Sequence, residues 1–124
     1  MRKQYHFRHS KKGLLAWDID RLIALSKEFP IIEIPLAEIK ELDEEYWSKD
    51  GSKLTCRKIA EHVQLIQEVD TYFPIILFSD GEVADGMHRV CRLLLDGAPT
   101  VKAVRFTIDP EPDYVGVAPD DLPY

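Results

Sequence analysis

The 124-residue chain is short of basic charge, of cysteine and of long apolar runs. Each shortage closes off a class of protein. Sixteen lysines and arginines against 22 aspartates and glutamates leave a formal net charge of −6. A protein held on nucleic acid by phosphate neutralisation carries a basic face. Nucleic acid is therefore disfavoured as a partner, and only Arg2, Lys3, His6, Arg8, His9, Lys11 and Lys12 keep it open, as a mobile basic arm. The two cysteines, Cys56 and Cys91, match no metal-ligand spacing and read as buried free thiols. No stretch approaches the roughly 18 apolar residues of a membrane span, and no signal-like apolar region follows the basic N-terminus. A cytoplasmic protein with no membrane partner is expected. No repeat is visible, and the length suits one domain, 1–124. Within it the core is expected at about 18–107, the basic arm at 1–16 and a Pro/Asp-rich tail at 108–124.

What is present is well punctuated. Lys11-Lys12-Gly13 reads as a turn, so 5–8 and 14–16 pair as a short hairpin. Asp18 or Asp20 caps a helix that puts Ile19, Leu22, Ile23 and Ser26 on one face before Pro30 stops it. Ile31-Ile32-Glu33-Ile34 is a strand ended by Pro35, and Leu36–Ile39 make one helical turn. An acidic stretch, Glu41–Trp47, leads to a turn at Asp50-Gly51. Thr55 caps a second helix with Ile59, Val63, Ile66 and Val69 along one face. Phe73–Phe78 is nearly all apolar, as in a strand covered on both faces, and Asp80-Gly81 turns it into Glu82-Val83-Ala84. A third helix carries Val90, Cys91, Leu93 and Leu94 inward and closes at Gly97, before a last strand over Thr100–Thr107. The tail holds half of the eight prolines and is either strapped on through Tyr114, Val115, Val117 and Leu122 or left partly disordered.

The richest run is Asp85-Gly86-Met87-His88-Arg89, between the apolar hairpin and the third helix. Glycine at such a corner lets backbone amides approach a ligand, and a helix N-terminus presents unbonded N–H groups and positive potential. His88 and Arg89 add a switchable donor and a fixed guanidinium. Phosphate is the anion such a corner suits best. The bland reading sits beside this one: Asp85 as a plain helix cap, His88 and Arg89 paired with surface carboxylates, Met87 as packing. His62 is assigned no role, and Tyr46 and Trp47 read as an edge-of-core pair or as a platform for a base.

Four pieces taken in order resemble the ParB N-terminal/sulfiredoxin superfamily over roughly residues 30–107. They are Glu33-Ile34-Pro35-Leu36, Pro74-Ile75-Ile76-Leu77, Asp85–Arg89, and Gly97 to Val104. The resemblance implies a small α+β domain, a mixed β-sheet with packed helices, that binds a nucleotide over Asp85, Gly86, Met87, His88 and Arg89. Met87 stands where sulfiredoxins carry their reactive cysteine, so sulfinic acid repair is excluded. The chain also leaves no room for a partition protein's DNA-reading domain. The nearest pattern is the Asp-Gly-His-His-Arg of free-serine kinases, with Met87 replacing the first histidine. In those kinases an acidic residue after the first strand acts as base, which points here to one of Glu41, Asp43 and Glu44. The expectation is ATP or CTP with Mg²⁺, Asp85 near the metal, and phosphoryl transfer to an unidentified small acceptor or hydrolysis, possible as a homodimer. Two rivals stand beside it: a ParB-like nuclease or DNA-binding accessory, and a non-catalytic interaction module.

Overall fold

The computed structural model describes residues 3–48 and 51–124. Arg2 of the basic segment and Asp50 of the expected Asp50-Gly51 turn lie outside the described residues. The chain is α+β. It begins with a hairpin of β1 (Tyr5–Ser10) and β2 (Gly13–Asp18), continues through α1 (Ile19–Ser26) and β3 (Ile32–Pro35), and then runs along three short 3₁₀ turns at 36–48. Helix α2 (Cys56–Glu68), strands β4 (Ile75–Leu77) and β5 (Val83–Asp85), α3 (Met87–Leu95) and β6 (Thr100–Arg105) complete the body. A two-residue strand, β7 (Tyr114–Val115), lies in the tail.

Where one mixed sheet was expected there are two. The four-stranded one has the order β3-β6-β4-β5, with β4 parallel to β6 and the other pairs antiparallel. Alternation of side chains across it makes two cores. Ile75, Leu77, Val83, Val101 and Ala103 point to one face, where they meet Met87 and Val90 of α3. Ile76, Phe78, Ala84 and Phe106 point to the other and meet Trp17, Ile19 and Leu22 from the hairpin and α1. This is why β4 reads as an unbroken apolar run: both of its faces are covered.

The second sheet is antiparallel, in the order β1-β2-β7, and corrects the expectation of a mobile arm. His6 is buried, and the Arg8 guanidinium lies 4.6 Å over the Phe78 ring and ion-pairs with Glu82 at 2.5 Å. An arginine so placed packs its stem on the core and has its charge answered within the fold. The tail is strapped rather than loose. The Trp17 indole donates to the Pro110 carbonyl at 2.8 Å, Asp113 accepts from the Asp18 N–H at 2.8 Å, and Leu122 is buried.

The two caps expected from sequence form as read. Asp18 accepts from the Asp20 N–H, and Thr55 from the Lys58 N–H. Helix α2 departs from expectation in its packing. Its face is apolar, yet no residue of it is buried, and Ile59 and Val63 remain almost half exposed. Its main neighbour is α3, so only one edge of the stripe is covered. Leu94 is likewise exposed rather than inward, and Cys56 is exposed rather than buried. No helix of the described residues is long and apolar enough to cross a membrane.

Candidate functional site

Strand β5 and helix α3 meet at Gly86, and two clefts open on either side of that corner. Gly86 holds φ +107°, and a Cβ there would stand 2.6 Å from Ile75 Cγ2 and 2.8 Å from Arg89 Nη2. Only glycine satisfies both the left-handed backbone and the close approach of β4. No side chain caps the helix that follows. Its first N–H groups are thus left to whatever enters the cleft beside them.

That first cleft, about 490 Å³, is lined by Gly86, Met87 and His88 on one wall and by Lys3, Tyr5 and Tyr124 on another. Its distinctive feature is aromatic. The His88 and His62 imidazoles are joined by a 2.8 Å Nε2···Nδ1 hydrogen bond. Both lie against the Trp47 ring, at centroid distances of 4.9 and 4.2 Å. The imidazole centroids are only 5.0 Å apart, so both sit on the same face of the indole. Burial, then the neighbouring imidazole and Arg89, depress His88 from 6.5 to about 4, and burial lowers His62 as well. At neutral pH both rings are uncharged, and one must donate to the other. Lys3, the cation in this cleft, is engaged with Asp18 at 2.8 Å.

Arg89 goes the other way. Its Nη2 donates to the Pro74 carbonyl at 3.2 Å and to Asp85 Oδ2 at 3.3 Å. It lines a second cleft of about 550 Å³ between α1 and β4, walled by Ile23, Phe29, Ile31, Phe73 and Pro74. Asp85 lines both clefts, so the Asp85–Arg89 pair forms part of the wall between them. Met87 is buried against the core, as its reading as packing implies.

None of the three acidic candidates reaches either cleft. Glu41 is fully buried, and its Oε2 accepts from the Val83 N–H at 2.5 Å. Tyr46 donates to the Val83 carbonyl at 3.1 Å. Val83 lies on β5, an edge strand, and residues 41–46 supply the partners its outward backbone groups lack. Burial and the nearby Asp85, Glu41 and Glu82 carboxylates push the Tyr46 phenol well above its usual range, so it stays a donor. Asp43 and Glu44 are exposed on the outer side of the same turn. The carboxylate in the first cleft is Asp85. Among the described residues no group of three His, Cys, Asp or Glu could hold a metal by itself.

Sequence reasoning missed His62. It lies 26 residues from its partner, and spacing along α2 marks it only as a half-exposed position. No protein family, curated protein or solved structure matches the chain.

Proposed function

We propose that the first cleft binds a nucleoside triphosphate, ATP or CTP, with its phosphates over the start of α3. One observation carries this reading: an uncapped helix N-terminus, entered through a left-handed glycine, opens beside a stacked Trp47–His62–His88 cluster in a cleft of ligand size. The N–H groups and His88 Nδ1, the ring nitrogen not bonded to His62, supply donors to phosphate, and the aromatic cluster and Tyr5 offer faces for the base, worth about 1–3 kcal/mol per stacked ring. The resemblance to ParB and sulfiredoxin domains agrees with this placement. A cytoplasmic location, where nucleoside triphosphates are abundant, is part of this proposal.

Arg89 holds the corner from behind, bonded to Pro74 and Asp85. Asp85 fits Mg²⁺ only as a single carboxylate ligand, the remaining ligands being phosphate oxygens and water. The metal would neutralise phosphate charge when bound. The protein's own part is to orient the phosphates and exclude water from the cluster side.

Calorimetry of the full chain with ATP and with CTP, with and without Mg²⁺, tests the reading. A triphosphate at 100 times its Kd stabilises the fold by about 2.7 kcal/mol, visible as a rise in melting temperature. Affinity rises as pH falls from 6 towards 4, because phosphate draws a proton onto His88 and lifts its depressed pKa. No shift with any triphosphate at millimolar concentration rejects the assignment. Phosphate release in the presence of Mg²⁺ then decides between binding alone and transfer or hydrolysis.

A further inference from the structure

The second cleft has a chemistry of its own that the nucleotide reading does not use. Its walls are apolar, and among the described residues three charged ones line it: Lys27, Asp85 and Arg89. Asp85 offsets one cation, so the lining carries a net charge of +1 (two cations less one anion). Lys27 stands exposed at the rim, with no ion-pair partner among the described residues. At the floor, Arg89 uses only Nη2 within the protein, while its Nε is buried and has no acceptor. Its Nη1 makes no hydrogen bond among the described residues, so the guanidinium keeps donors for a second anion beyond Asp85.

We infer that this cleft binds a small monocarboxylic acid with an apolar or aromatic body. The carboxylate docks on Nη1 of Arg89, balanced by Lys27, and the body lies between Phe29, Ile31 and Phe73. Ile31 and Phe73 are more than half exposed, which leaves apolar surface for such a body to cover. A polyphosphate does not fit this site: its charge exceeds the single net positive charge, and the walls offer it no donors. The inference is independent of what the first cleft holds.

The test is titration of the full chain with 3-phenylpropionate, followed by amide NMR, against the matched alcohol 3-phenylpropan-1-ol. Saturable binding of the acid is expected, with shifts centred on Ser26–Phe29, Phe73, Ile75 and Arg89, and at least about fivefold weaker binding of the alcohol, the scale of one charged contact. Lys27→Glu, a surface change that leaves the core intact, lowers acid affinity by about fivefold or more through charge reversal, and leaves the alcohol unaffected. Equal affinity of acid and alcohol, shifts centred elsewhere, or no saturation at 10 mM (roughly −2.7 kcal/mol of binding free energy) each overturn the inference. Loss of binding of both compounds in Phe73→Ser, with folding retained by circular dichroism, places the body against that wall. Undiminished binding in Phe73→Ser overturns it.

Discussion

His88 and Arg89 are neighbours in the chain and belong to different sites. One residue of an α-helix turns the side chain by about 100°, so the imidazole enters the cleft beside Trp47 and the guanidinium passes behind the corner to Pro74. The first cleft is aromatic and uncharged at its centre; the second is apolar with a cationic floor. Part of the wall between them is one ion pair, Asp85–Arg89 at 3.3 Å, on a glycine turn. A short motif of adjacent residues is therefore not automatically one site. The helix start acts as a partition with different chemistry on each side.

The sharpest way to break that partition is at its hinge. Gly86→Ala places a Cβ against the buried Ile75 in a left-handed backbone, and should cost about 3 kcal/mol or more, from strain and overpacking together. Urea denaturation measures it, and a loss under about 0.5 kcal/mol means that the corner relaxes and the two clefts are not held apart by it.

The next largest effect separates the two neighbours. Arg89→Met should lower stability by about 2 kcal/mol, because it leaves Asp85 and the Pro74 carbonyl without their donor. It should change triphosphate affinity little. His88→Ala should weaken triphosphate binding by about tenfold, near the value of one hydrogen bond, beyond the stability it loses with its contacts to Trp47 and His62. Paired calorimetry and urea curves on both variants report the split, and the opposite pattern would return Arg89 to the phosphates.

The smallest effect is one of pH. His88 titrates near 6.5 in the unfolded chain and near 4 in the fold. Its neutral form is the native one, so no stability is lost to it above pH 6.5. As pH falls from 6.5 to 4, the unfolded chain takes up the proton first and stability declines. In His88→Gln the decline between pH 7 and pH 5 should be shallower than in the parent chain. Identical slopes would mean that His88 is more solvated than its contact with Trp47 implies.

Much of the fold could be read locally. The hairpin turn at Lys11-Lys12, the caps at Asp18 and Thr55, and the glycines that open and close α3 are all short-range physics, decided by which residues tolerate which backbone. The doubly covered character of β4 was legible too, from its lack of polar alternation. Less legible was anything set by a distant partner. Glu41 reads as part of a solvated acidic loop, but the unpaired edge of β5 draws it inside to meet the Val83 N–H. Arg8 reads as part of a free basic arm until Phe78 and Glu82 arrive from seventy residues on. The periodicity of α2 names its apolar face correctly and says nothing about whether a partner covers it.

For this chain, sequence alone determined the corner at Gly86 and the order of strands and helices around it, because each follows from backbone preference and from the period of apolar residues. Tertiary structure decided what the corner faces. The Trp47–His62–His88 stack joins three segments, and the cationic floor of the second cleft depends on how Arg89 is tied between Pro74 and Asp85. Contacts of that kind depend on which surfaces meet when the core closes, and no local preference encodes them.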